Sequence, residues 1–409
     1  MFDLDLWREI FQSISKNKLR TLLSGGTVIF AIMLFAILFG LANGLQNTFN
    51  EGMGGDAENT IFINSGRTAK AGKGNQAGRR IQFDNALLSN LKDEFKDDIE
   101  FITARVNKNV VASYKGEKNN YSLRAVNPDH QFIEKSELVS GRFINQRDLQ
   151  ESTKVIVIGR LVKEDLFKTE KVIGEYIDLN KIQYKVVGVY QDIGDDNEER
   201  IIYMPLTTAQ RIYGNNDFID QINLTYNLSM GLDNAIALGT NIESRIKKIF
   251  NIEPSDQRAV RLRNRATEAN SINQFNSVLA ILVLIIGLGT LIAGIVGISN
   301  IMIFIVKERT KEIGIRKALG ARPSSIQSII LIESVLITSI SGYVGLLLGI
   351  GILEAYGPSL DKYFITDPSV STNLVAMATL ALIISGFIAA YVPAKRASQI
   401  KPIIALRDE

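Results

Sequence analysis

Lys307 to Pro323 reads KERTKEIGIRKALGARP and lies between two long apolar runs. Lys307, Arg309, Lys311, Arg316, Lys317 and Arg322 face only Glu308 and Glu312. Most of these residues favour helix, and Glu312 with Arg316 makes an i,i+4 acid-base pair in the favourable orientation. Gly320 and Pro323 predict the helix stop. Ser324 with Gln327 predicts a capping box that starts the next helix. The stretch therefore reads as a short cationic helix, residues 307–325, pinned between two membrane spans. Charge alone fits a loop that only enforces topology. The apolar Ile313, Ile315, Ala318 and Leu319 among the charges suit a helix that also beds into a partner protein.

Outward from this stretch, residues 277–306 carry no charge over 30 positions. That exceeds the roughly 20 residues a span needs, so the helix must tilt or project beyond the bilayer. A helical pattern from Ser255, without Gly or Pro after it, predicts a stalk leading into this span. Residues 326–353 form the third span, with Gly342, Gly345, Gly349 and Gly351 on a candidate packing face. Residues 374–393 form the fourth, ended by Pro393. Near the N-terminus, residues 22–45 hold no charge over 24 positions, enough to cross about 30 Å of hydrocarbon. A signal peptide would have a shorter apolar core and a small-residue cleavage site. Gly40 and Gly44 form a G-x-x-x-G pair suited to close helix contact. Before this span, residues 1–21 place Leu4, Trp7, Phe11 and Ile14 on one helical face. Arg8, Lys16, Lys18 and Arg20 flank it, as in an interfacial helix on membrane lipid.

The basic residues set the orientation. Residues 1–21 hold four, the 307–325 loop holds six, and the 394–409 tail holds Lys395, Arg396, Lys401 and Arg407. The loop 354–373 holds Lys362 against Glu354, Asp361 and Asp367. The rule that Lys and Arg stay inside puts both termini in the cytoplasm and residues 46–276 outside.

The 409 residues are 46% apolar and 22% charged, with net charge +3. This balance is too apolar for disorder and too charged for a wholly embedded protein. The basic excess is local, so nucleic acid is not the implied partner. The chain has no Cys, which excludes disulfides and thiolate metal sites. Its one His, His130, excludes His-based zinc clusters and, in a polar stretch, reads as a surface residue.

Within residues 46–276, Gly66 to Arg80 is Gly-rich and basic, and reads as a mobile loop. Strands are predicted at Thr60–Ile63, Phe101–Val106, Val110–Tyr114, Tyr121–Val126, Val155–Ile158, Tyr176–Leu179, Lys185–Tyr190, Arg200–Met204 and Gln221–Tyr226. Helices are predicted at Asp84–Phe95, Arg160–Phe167, Thr207–Tyr213 and Leu232–Phe250. The fold class is thus a membrane α-helical protein of four transmembrane helices with a large extracytoplasmic α+β domain of two lobes.

Glu308 to Ala321, E-R-T-K-E-I-G-I-R-K-A-L-G-A, resembles the cytoplasmic loop of FtsX-like ABC-transporter permeases, which include the MacB-type exporters. N-K-L-R-T at Asn17–Thr21 is similar to the start of that family's first span. The tail from Pro393 to Arg407 is similar to its ending. VIVIGRLVKEDLF, GEYIDLNKIQYKVVGVYQD and RIIYMPLTTAQRIYG resemble its extracytoplasmic domain, where one lobe is inserted into the other; here the insert falls at about residues 116–200. The resemblance implies a permease in the bacterial inner membrane, working as two copies with a separate ABC ATPase dimer. Glu308, Arg309, Glu312, Ile313, Ile315, Arg316, Lys317 and Leu319 would be the ATPase-coupling residues. It also implies export of drugs, peptides or similar substrates by mechanotransmission, often with a periplasmic adaptor and an outer-membrane channel. Lipoprotein release and signalling to a cell-wall hydrolase are the alternatives within the same superfamily.

Two motifs tempt and fail. Leu23-Ser24-Gly25-Gly26 copies part of an ATPase signature inside an apolar span. Gly66 to Gly74 imitates a phosphate loop with the wrong spacing, and Gly74 stands where a Ser or Thr should hold magnesium. The chain is thus expected to bind no cofactor itself, with ATP and magnesium held by a separate ATPase polypeptide. Glu333 is the one acid well inside a span. No basic residue in the apolar runs answers it, and a structural hydrogen-bonding role near the cytoplasmic end is expected.

Overall fold

The computed structural model describes residues 18–51, 57–72, 74–134, 136–168, 171–192 and 196–401. Trp7 and Phe11 lie outside the described residues. Lys18 and Arg20 fall in the first turn of helix α1 (Lys18–Glu51), but their side chains are likewise outside them. The chain continues through β1 (Thr60–Ser65), β2 (Phe83–Asp84), α2 (Asn85–Glu94), β3 (Ile99–Tyr114), β4 (Glu117–Val126), α3 (His130–Ile133) and β5 (Glu137–Gly141). Next come α4 (Gln146–Glu151), β6 (Val155–Gly159), α5 (Arg160–Phe167), β7 (Tyr176–Leu179) and β8 (Ile182–Gln191). Then follow β9 (Ile201–Pro205), α6 (Leu206–Tyr213), β10 (Phe218–Ile219), β11 (Gln221–Tyr226), α7 (Leu232–Ile249) and β12 (Val260–Asn264). The last helices are α8 (Arg265–Glu308), α9 (Thr310–Ala318), α10 (Pro323–Leu360) and α11 (Thr372–Ser398). Residues 53–273 form one compact unit, and the two flanking stretches form the other.

The 53–273 unit is the extracytoplasmic α+β domain. Ten strands make one mixed sheet in the order β12-β1-β11-β3-β4-β9-β6-β8-β5, with β7 against β3 and β8. The stretch read as an inserted lobe continues this sheet through the β3–β4 hairpin. β3 is one strand, not the two expected, because Asn107, Lys108 and Asn109 stay in register with Arg124, Leu123 and Ser122. Their side chains are exposed while the ladder satisfies their backbone, so a polar run does not break the strand. β3 pairs with β11 from Ile99 to Arg105 and with β4 from Arg105 to Tyr114. Arg105 thus stands at the joint of the two halves.

Two further expectations fail here. Residues 260–264 are a strand antiparallel to β1 rather than the start of a helical stalk. V-R-L-R-N alternates, with Val260 and Asn264 buried and Arg261 and Arg263 exposed, which is the period of a strand. The Asn264 carboxamide oxygen accepts the Ala266 N–H at 2.9 Å, and α8 begins there. The Gly66–Arg80 stretch, read as mobile, folds back on itself with Arg67 bridged to Arg80. Asp256 pins it by accepting the N–H groups of Ala69 at 2.7 Å and Lys70 at 3.0 Å.

Four helices among the described residues are long and apolar enough to cross a membrane. α8 runs 44 residues, roughly 66 Å at 1.5 Å per residue. Small residues let α10 lie directly on α1. A Cβ on Gly345 would sit 2.5 Å from the Ile29 carbonyl oxygen, and one on Gly349 would sit 2.8 Å from the Ala36 Cβ. Gly40 packs against Leu353, and Gly44 against Ile365 and Pro368. Gly351, read as part of the same face, has open space beside it. α11 runs through Pro393 to Ser398 instead of ending there. Pro393 is buried with Ala389, Ala390, Ala394 and Ala397, and this packing outweighs the one backbone bond the ring removes.

Candidate functional site

α8 ends at Glu308, and the chain bends at Arg309 before α9 begins. The Arg309 guanidinium reaches two acids. Its Nη1 lies 3.3 Å from Glu333 Oε2 and its Nε 3.2 Å from Glu312 Oε2. Arg316 Nη2 bonds the other oxygen of Glu312 at 2.9 Å. Glu333 is 2% exposed on α10. Its base was not visible among the apolar runs because it comes from the bend between α8 and α9.

At the other end of α9, Lys317 Nζ donates to the carbonyls of Ser398 at 2.7 Å and Ile400 at 2.8 Å. These carbonyls close the C-terminal end of α11, where a cation is favoured. Gln327 Nε2 donates to Ser398 Oγ at 3.0 Å. The expected capping box with Ser324 is therefore absent. Arg322 is the N-cap without a side-chain bond, and Pro323 takes the first turn of α10.

The predicted coupling residues divide between two faces. Ile313 is 7% exposed and packs in one core with Met302, Ile305, Val306, Ile326 and Ile330 of this same chain. Ile315 is 45% exposed and Leu319 is 83% exposed, with Glu308, Lys311 and Glu312 also on the surface. The site is a cationic helix fastened at both ends, greasy underneath and bearing two outward apolar side chains. Sequence spacing put all the isoleucines and leucines of this helix in one class, and tertiary packing separates them.

A second polar centre lies in the extracytoplasmic domain and was missed. Glu134 accepts from Arg105 Nη1 at 2.9 Å, Arg124 Nη1 at 3.2 Å and Tyr203 Oη at 2.7 Å. His130, read as a surface residue, is fully buried, with Nε2 3.1 Å from Glu134 Oε2. Arg124 also pairs with Glu198. Burial by itself would raise the Glu134 carboxyl; His130, Arg105 and Arg124 outweigh it and hold it well below the ordinary range. Burial, then the charge of Glu134, pushes the Tyr203 phenol up. The signal available was Glu134 one helical turn after His130, which is too common to single out.

Residues 21–237 match the MacB-like periplasmic core domain, and residues 277–402 match the FtsX-like permease C-terminal domain. The chain belongs to the MacB/FtsX-like ABC-transporter permeases. It is 27% identical over 404 residues to the macrolide export ATP-binding/permease protein MacB of Bdellovibrio bacteriovorus, covering 98% of this chain and 61% of that one. It is 29% identical over 408 residues to the protein of the same name from Campylobacter jejuni, covering 98% and 60%. The chain thus spans about three-fifths of the length of these curated relatives. The crystal structure of the periplasmic region of MacB from Actinobacillus actinomycetemcomitans is similar with a TM-score of 0.45 and 18% identity, over 55% of this chain and 97% of that one. In this permease the Leu23–Gly26 motif lies within α1, where Gly25 packs against Ser341. Its four apolar helices and its family make this permease an inner-membrane protein, and the 309–319 segment lies between two of the candidate spans.

Proposed function

We propose that the chain is the membrane subunit of a dimeric ABC exporter, and that α9 couples it to an ATP-hydrolysing partner. The observation that carries this reading is the outward face of α9. Ile315 and Leu319 stand exposed on a helix whose own ends are tied to α10 and to the end of α11. Apolar side chains on a tethered helix suit a groove in a partner, and the tethers would carry the partner's push into the spans. In this reading both termini and the 307–325 loop are cytoplasmic. ATP and magnesium are held by an ATPase outside these 409 residues. The long α8 carries the motion onward. A periplasmic adaptor and an outer-membrane channel complete the route, and macrolide-like drugs are the first substrates to test, since the curated relatives are named for macrolide export.

The test is co-purification with the partner ATPase. Leu319→Asp and Ile315→Asp put a charge into a dry contact, which costs several kcal/mol, and should abolish association while leaving the permease folded. Reversing the charge of Lys311 should weaken association less and in a salt-dependent way. Association of Leu319→Asp at the wild-type level would defeat the coupling role. Ile313→Asp is a different experiment, because its charge would enter the permease's own core.

A further inference from the structure

An open cleft of about 640 Å³ in the extracytoplasmic domain is lined by Arg67, Arg80, Arg258 and Arg261. Asp220 is its one acid, and that carboxylate already accepts the Asn107 N–H at 3.0 Å. Among the described residues, none of the four guanidinium groups is ion-paired to a carboxylate. Four like charges gathered without counter-ions repel one another, so the cleft favours an anion between them.

The gathering is built by the backbone. Arg67 and Arg80 face each other across the folded-back 66–80 stretch, Arg258 comes from the segment leading into β12, and Arg261 from β12 itself. Gly66 donates to the Ala259 carbonyl at 2.9 Å, and a side chain there would collide with the Arg258 carbonyl. Asp256 holds both segments together, accepting from Ala69 and Lys70 on one and from Arg258 at 2.9 Å and Ala259 at 3.2 Å on the other. The frame is therefore rigid where the guanidinium groups emerge from it.

We propose that this cleft binds a hydrophilic anion bearing phosphate groups. Planar guanidinium forks match phosphate oxygens two at a time. The volume is that of a small-molecule site, which spans about 300–1,000 Å³. Its polar lining, with Asn64, Ser65 and Asn107 beside the arginines, is unsuited to an apolar drug. The ligand is either a free phosphate ester or the headgroup of a phosphorylated lipid. This site is separate from α9, and its test reads binding instead of transport.

The test uses the full chain in detergent and calorimetric titration with two probes, inorganic pyrophosphate and dioctanoyl phosphatidic acid. Binding of both points to the phosphate group itself, and binding of the lipid alone points to a headgroup with part of its chain. Arg258→Gln combined with Arg261→Gln should weaken binding at least tenfold. Asp220→Asn, which keeps the acceptor and removes the charge, should tighten it. Arg147→Gln, elsewhere on the domain, should change nothing. The proposal is overturned if neither probe binds the wild type. It is equally overturned if the double variant binds as tightly as the wild type, or if Arg147→Gln weakens binding as much as the double variant does.

Discussion

Arg309 Nη1 and Glu333 Oε2 lie 3.3 Å apart, joining the bend before α9 to the buried side of α10. Glu333 is thereby answered by a charge from outside the apolar runs. Breaking such a pair from one side leaves a buried charge, which costs more than removing both partners. Arg309→Met should destabilise the chain by about 3 kcal/mol. The double variant Arg309→Met/Glu333→Met should recover part of that loss. Thermal unfolding of the purified protein in detergent measures the cycle. A double variant less stable than Arg309→Met would contradict the pairing.

Glu134 predicts an acid dependence of the extracytoplasmic domain. Folding holds its pKa below the ordinary 4.5. On acidification the unfolded chain therefore takes up the proton first. The stability from this carboxylate is complete above about pH 4.5 and is lost as pH falls through the lower folded value. Glu134→Gln should be less stable at pH 7 by about 3 kcal/mol, since Arg105 and Arg124 lose their common partner. Its loss of stability below pH 4.5 should be shallower than that of the wild type. Hydrogen exchange of β3 and β4 in the full chain, read between pH 7 and 3.5, distinguishes the two. Parallel curves would remove Glu134 as the titrating group.

Gly345 and Gly351 should respond in opposite ways to the same change. Gly345→Ala drives a methyl into the Ile29 backbone and must push α1 from α10, lowering the midpoint of thermal unfolding. Gly351→Ala meets nothing. It should be neutral or stabilise the helix by up to about 1 kcal/mol. Equal effects at the two positions would argue against this helix contact.

The orientation can be read with single thiols, because the chain contains no cysteine. Asn119 and Arg322 are both exposed. A Cys at Asn119 should react with an impermeant reagent once the outer membrane is opened. A Cys at Arg322 should react only after the inner membrane is broken. Labelling in the reverse order would invert the proposed sidedness.

The local pattern of the sequence was enough for the four apolar helices and for the short cationic helix between two of them. It was also enough for strands such as Gln221–Tyr226 and Tyr176–Leu179, whose bounds the structure repeats. These features depend on neighbours within a few positions, so spacing and composition carry them. What spacing could not decide is which side of an element meets the rest of the chain. Ile313, within α9, and Leu319, which caps its end, share a chemistry, yet one is buried and the other bare, because the core that receives Ile313 is built from four other helices. Lys317 finds its acceptor 83 positions away and Arg309 its acid 24 positions away. His130 read as surface because its neighbours are polar, and it is buried because Arg105, Arg124 and Tyr203 arrive from three separate strands around Glu134. Residues 260–264 became a strand because the edge of β1 offered unpaired backbone groups, which an isolated segment cannot know.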